Sequence, residues 1–124
     1  MDIIISSNSD TPLYEQIVDQ IKTQILTGEL LQGTPLPSIR ALAKDLHVSI
    51  ITTKRAYEEL ERDGFVTTVP GKGCFVAPQN RETRREAVLC QIEEQLSRAV
   101  DIARAGAVGL EELTEMLSAL YKEE

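Results

Sequence analysis

The amino-acid sequence predicts a mostly α-helical chain with one small β-hairpin, continued by an α-helical hairpin. Three observations carry that expectation. Before residue 64, apolar side chains return at helical spacing in three separate runs. Between residues 65 and 77, two β-rich segments flank Pro70-Gly71-Lys72-Gly73. Beyond residue 80, two long apolar stripes are broken once, at Ala105–Gly109. The boundary between the two parts is expected at Pro78, giving residues 1–78 and residues 79–124.

Each element has a local reason. Asp10 is suited to cap a first helix, with Pro12 pre-set for its opening turn. Leu13, Ile17, Ile21 and Ile25 recur every fourth residue, and Gly28 stops the run. Thr34-Pro35-Leu36-Pro37 is kept extended by its prolines. Ser38 caps a short helix whose Ile39, Leu42, Ala43 and Leu46 face inward, and His47 takes the turn after it. Ser49 caps the next helix, Ile50 to Asp63, ended by Gly64. Its Thr53, Ala56, Tyr57 and Leu60 follow the i, i+3, i+4, i+7 rule of a buried face. Phe65–Val69 and Cys74–Ala77 then pair around a four-residue loop, Pro70 to Gly73. In the tail, Val88, Ile92, Leu96, Ala99 and Ala103 form one stripe, and Leu110, Leu113, Leu117 and Leu120 the other. Such a helix pair has little core of its own and calls for a partner surface, most simply the same pair from a second copy.

Composition removes several classes of function. Hydrophobic residues make up 42% and charged residues 27%, a globular balance rather than a disordered one. No apolar run approaches the ~20 residues needed to cross a bilayer, so no membrane partner is expected. MDIIISSNSD lacks the basic start and apolar stretch of a signal peptide, which together with reduced thiols points to a cytoplasmic location. Cys74 and Cys90 are too few and too dispersed for a zinc site or a disulfide scaffold. His47 is the only histidine, so no histidine triad or multi-histidine metal cluster can form, and its place in a turn fits the tolerance of His for left-handed backbone. Glu58, Glu59, Glu61, Glu111, Glu112 and Glu115 sit on helices as solvating charge, not as paired acids. No catalytic residue, metal site or cofactor is expected.

The charge distribution is informative where the total is not. The net charge of −7 alone speaks against a nucleic-acid partner. Yet from Leu36 to Tyr57, Arg40, Lys44, Lys54 and Arg55 face only Asp45, a local balance of +3. From Glu58 to Asp63 the balance is −3, and from Gln79 onward it is −4. Positive charge therefore gathers on the two short helices joined by a tight turn, just before the hairpin. Helix, turn, helix and hairpin in that order form a helix-turn-helix with a wing, whose second helix fits the major groove of double-stranded DNA. On this reading Ser49 and Thr52 offer hydroxyls to phosphates or base edges. Arg40, Lys44, Lys54 and Arg55 offer cations. Gly71 and Gly73 permit the wing turn, and Lys72 enters or borders a minor groove.

From Leu36 to Val76 the chain resembles the winged helix-turn-helix domain of the GntR family of bacterial transcription regulators. The resemblance is carried by Leu36-Pro37-Ser38 with Arg40, Leu42-Ala43, Val48-Ser49, Lys54-Arg55-Ala56-Tyr57-Glu58-Glu59-Leu60, Asp63-Gly64-Phe65, and Gly71-Lys72-Gly73 with Phe75-Val76. It implies a homodimer, joined through residues 81–122, that binds a pseudo-palindromic operator, with Arg40, Ser49, Thr52, Lys54, Gly71 and Lys72 at the family's contact positions. The 46 residues after Pro78 resemble the tail of the YtrA-type subfamily, whose C-terminal helices mainly pair subunits and whose regulated genes often encode ATP-driven transporters. A small-molecule effector is an open partner.

Two positions depart from the family. Ile50 stands where Arg is common, and Ile51 where a polar residue is usual. Either Ile50 or Ile51 packs on thymine methyls, or one of them extends the core flank. Cys74 stands in the wing where Thr is usual. It is an inert substitution or, if Lys72 lowers its pKa, a redox sensor. A winged-helix adaptor that binds protein rather than DNA is the alternative from another class.

Overall fold

The computed structural model describes residues 1–123. The elements run α1 (Leu13–Leu26), α2 (Ile39–Leu46), α3 (Ile50–Arg62), β1 (Val66–Val69), β2 (Gly73–Val76), α4 (Arg81–Ala105) and α5 (Leu110–Lys122). The chain divides into two compact units, Met1–Arg84 and Arg85–Glu124.

In the first unit α3 packs against both α1 and α2. Its predicted inward residues are all buried: Thr53, Ala56 and Leu60 completely, Tyr57 almost so. Facing them are Ile17 and Ile21 of α1, both fully buried, with Ile25, Val18 and Leu26, and Leu42 and Ala43 of α2. The polar side chains of α3 in this core are satisfied. Thr53 Oγ1 donates to the Ser49 carbonyl, and Tyr57 Oη donates 2.7 Å to the Pro37 carbonyl.

Helix ends follow the expected chemistry with one exception. Ser38 and Ser49 cap α2 and α3, their hydroxyls accepting from the N–H groups of Ala41 and Thr52. Gly64 (φ +81) closes α3 in a Schellman arrangement, with Phe65 N–H on the Leu60 carbonyl and Gly64 N–H on Glu61. His47 performs the same closure for α2 at φ 56, as its turn position predicts. Asp10, in contrast, does not cap α1. Pro12 is the capping residue, at φ −55 and ψ 148, and gives no side-chain cap. Thr11 is held extended by the following proline and Pro12 itself is extended at ψ 148, so helical geometry starts at Leu13 and leaves Asp10 too far out.

The wing also differs in detail. Gly73 already pairs with Val69, so the loop has three residues rather than four. Lys72 N–H donates to the Val69 carbonyl, with Pro70 and Gly71 (φ +78) at the two central positions, the requirements of a type II turn. The extended Thr34–Leu36 segment lies along the other edge of β2: Gly33 N–H and Val76 N–H bond to Val76 and Thr34 carbonyls, and Leu36 N–H to Cys74.

The N-terminal segment is held in a way no local pattern announces. Gln20 exchanges two hydrogen bonds with the backbone of Ile4 (2.8 and 2.7 Å), and Gln16 does the same with Ser6 (2.8 and 2.9 Å). Gln24 donates to the Asp2 carbonyl. Side chains four apart on a helix rise about 6 Å, close to the two-residue repeat of an extended chain, so three glutamines grip alternate residues.

In the second unit α4 and α5 are joined by a turn in which Ala107 is left-handed (φ 58) and Val108 N–H bonds to the Ala103 carbonyl. Ala103 is buried, but the predicted stripes remain largely open: Ile92, Leu96, Leu110, Leu117 and Leu120 are all exposed, and α5 buries no residue.

Left-handed geometry sets the sign of two substitutions. Gly64→Ala is expected to lower the unfolding free energy by about 1 kcal/mol, and His47→Gly to raise it by a few tenths to about 1 kcal/mol. Urea titration of each variant, followed by helical circular dichroism, measures both.

Candidate nucleic-acid interface

Each proposed contact residue is on the surface of the first unit. Arg40 and Lys44 are exposed one turn apart on α2. Ser49 and Thr52 open α3, and Ile50 and Ile51 between them are 47% and 80% exposed. Ile51 therefore does not extend the core, while Ile50 is about half covered. Lys54 and Arg55 are exposed on the next turn, and Gly71, Lys72 and Gly73 form the tip of the wing.

The hydroxyls at the start of α3 are partly committed. Ser49 Oγ accepts from Thr52 N–H at 3.0 Å and donates to Thr52 Oγ1 at 2.8 Å. Ser49 has thus used its only proton, while the Thr52 hydroxyl keeps one to donate outward. Of the pair, Thr52 is the one whose hydroxyl is left free to donate.

Within residues 13–76 the cations divide by partner. Lys22 Nζ lies 3.0 Å from Asp63 Oδ2, and Arg62 Nη2 lies 2.9 Å from Glu59 Oε1. Both pairs belong to the C-terminal end of α3 and the side of α1 beside it. Lys54 reaches Glu58 only at 3.9 Å, with both side chains about two-thirds exposed, a pair of small energetic consequence. Among the described residues Arg40, Lys44, Arg55 and Lys72 have no carboxylate within 4 Å. The Arg55 guanidinium lies 3.8 Å from the centroid of the Tyr14 ring. Ile51, Thr52 and Arg55 together line one shallow cleft with Pro12 and with Leu13 and Tyr14 of α1. Tyr14 carries no sequence signal for such a role, because it sits beside the Leu13–Ile25 stripe rather than on it.

Folded in this way, the segment can be compared with known proteins. The family model for bacterial regulatory proteins of the gntR family matches residues 13–76. The chain belongs to the GntR family. The HTH-type transcriptional repressor YtrA of Bacillus subtilis is 37% identical over 93% of this chain and 88% of its own length, which makes this GntR protein YtrA-like. Among solved structures, a Listeria monocytogenes transcriptional antiterminator superposes with a TM-score of 0.76 at 32% identity, covering 98% of this chain and 91% of the other. The DNA-binding domain of AraR, in complex with operator ORX1, matches 62% of this chain and 96% of its own with a TM-score of 0.55 and 26% identity. As a GntR protein the chain is a DNA-binding transcription regulator, and the relatives it matches are regulators rather than enzymes. Among the described residues, no helix is long and apolar enough to cross a membrane, and no cluster of His, Cys, Asp or Glu could hold a metal.

Cys74 is not activated by Lys72. Burial pushes its thiol above the ordinary range, Glu61 adds to the rise, and hydrogen bonds from Thr68 and the Phe75 backbone only partly offset it. A raised pKa leaves little thiolate at neutral pH. In a Cys90→Ser variant, alkylation of Cys74 by iodoacetamide is expected to be slow at pH 7.5 and to accelerate as pH climbs past 9. Measuring the rate by mass spectrometry across that range tests the sign.

Proposed function

We propose that the chain is a repressor that binds a pseudo-palindromic operator as a homodimer. Residues 1–78 would form the DNA-binding part, and residues 79–124 the pairing tail. The start of α3 would enter the major groove, with Ile51 and Thr52 leading, Ser49 supporting Thr52, and Lys54 and Arg55 on the following turn. Arg40 and Lys44 on α2 would meet phosphates, and the turn shaped by Gly71 and Gly73 would bring Lys72 to the flanking minor groove.

The observation that carries this reading is the division of the cations. Those at the end of α3 are neutralised by carboxylates within 3.0 Å, while Arg40, Lys44, Arg55 and Lys72 are left for another anion. In a protein of net charge −7, unpaired cations gathered on α2, the start of α3 and the wing favour a polyanionic partner. The operator bound by the AraR domain and the repressor function of YtrA support the same reading. Pairing through the tail is supported by Leu110 (79% exposed), Leu120 (66%) and Tyr121 (88%), apolar surface that water would otherwise cover. An effector would act by changing the spacing of the two recognition helices.

Titrating the protein onto the DNA upstream of its own gene, at several salt concentrations, tests the proposal. Specific binding with a steep salt slope is expected, and Arg40→Ala or Lys72→Ala should each reduce that slope by about 1. Undetectable or sequence-blind binding would instead favour a protein-binding adaptor, to which the exposed Ile50 and Ile51 are also suited. Sedimentation of the same sample should give twice the chain mass of 13.8 kDa.

The isoleucines make a sequence-level prediction. Operators selected from a random pool should carry an A·T pair opposite Ile50 or Ile51, and the preference should fall by roughly 1–3 kcal/mol equivalent or less in Ile50→Ala and Ile51→Ala. A dominant guanine preference that survives both substitutions excludes the thymine-methyl contact.

A further inference from the structure

We propose that Tyr14, on α1, is a positioning residue for phosphate recognition by Arg55. The aromatic ring holds the guanidinium flat, so that its edge meets a backbone phosphate beside the groove that α3 enters. This rests on the DNA-binding reading and extends the interface to a helix otherwise given over to the core.

Four observations converge on the pair. The guanidinium carbon lies over the ring, 3.8 Å from its centroid, well within range of cation–π attraction. Its N–H groups lie in the guanidinium plane, so stacking on one face leaves the edges open for bidentate contact with a phosphate. No carboxylate competes for it among the described residues, whereas Lys54 next to it has Glu58. Finally, Arg55 shares its cleft with Ile51 and Thr52, which lead α3, and with Pro12 and Leu13, which begin α1.

The direction of the side chain separates phosphate from base. A residue that reads a base edge projects forward from the first turn of the helix. Arg55 instead lies one turn further along α3 and leans onto Tyr14 of α1, which on the DNA-binding reading would set it beside a sugar–phosphate strand rather than a base edge. Its contact should therefore add affinity and salt dependence without sequence preference. A free arginine must lose rotamer freedom to make that contact, and the Tyr14 ring removes part of the loss in advance.

The test uses the full chain and a duplex bearing a sequence that the wild-type protein selects from a random pool, with binding followed by fluorescence anisotropy at several salt concentrations. Arg55→Ala should weaken binding roughly 5- to 10-fold and lower the salt slope by about 1, equally on selected and random duplexes. Tyr14→Phe should bind like wild type. Tyr14→Leu should lose about 3- to 5-fold, and Arg55→Lys, which keeps the charge without the flat stack, a similar amount. In the double variant Tyr14→Leu/Arg55→Ala the loss should not exceed that of Arg55→Ala alone. Wild-type affinity in both Tyr14→Leu and Arg55→Lys overturns the proposal, as does a Tyr14→Leu loss of equal size in the Arg55→Ala background. If Tyr14→Leu fails to fold, Arg55→Lys with Tyr14→Phe decides the matter. Absence of selective DNA binding by the wild type would remove the DNA reading itself, and the role of Tyr14 with it.

Discussion

The burial of one face of α3 against α1 and α2 is the constraint on which the rest of the first unit depends. Thr53, Ala56 and Leu60 have no exposed surface, and the Tyr57 hydroxyl is bonded to Pro37 at the entrance to α2. Successive residues on a helix are separated by about 100°. Fixing those four side chains inward therefore fixes Ile51, Lys54, Arg55 and Glu58 outward, with no freedom to rotate the helix by even one position. The bond from Tyr57 carries the same constraint to α2, so Arg40 and Lys44 are held by the packing that orients α3.

Electrostatics is arranged over that frame by proximity rather than by total charge. The carboxylates of Glu59 and Asp63 sit at the far end of α3 and consume Arg62 and Lys22. The cations near the start of α3, on α2 and on the wing are left without such partners. Exposed pairs contribute little to stability, so the consequence of this division is for association. A local group of unpaired cations on a chain of net charge −7 attracts a polyanion there, which suits a regulator that must discriminate among DNA sites.

Much of this was legible in the residues themselves, for local reasons. Ser38 and Ser49 cap within three residues of their own position, and Gly64 and His47 close helices where only a left-handed residue fits. The i, i+3, i+4 pattern of α3 reports its buried face directly. Expectation failed where a residue answers to something remote or to a neighbour's stereochemistry. Asp10 looks like a cap, but Pro12 is itself extended and takes the capping position, two residues further on. Gly73 looks like part of a loop, but cross-strand pairing with Val69 claims it for β2. The extended stretch before α2 is predicted by its prolines, while its pairing with β2 is not, because no local signal says which edge it will meet.

By itself, then, the sequence determined the order of elements, their caps, the buried stripe of α3 and the family to which the chain belongs, all of which depend on contacts within a few residues. Tertiary structure decided what depends on side chains far apart in the chain. It brought Gln16, Gln20 and Gln24 onto the backbone of residues 2 to 6, laid Arg55 on Tyr14, and left the Cys74 thiol half-buried and under the influence of Glu61 instead of activating it. Periodicity reports the side of a helix a residue occupies. Only folding reports which other residue is waiting there.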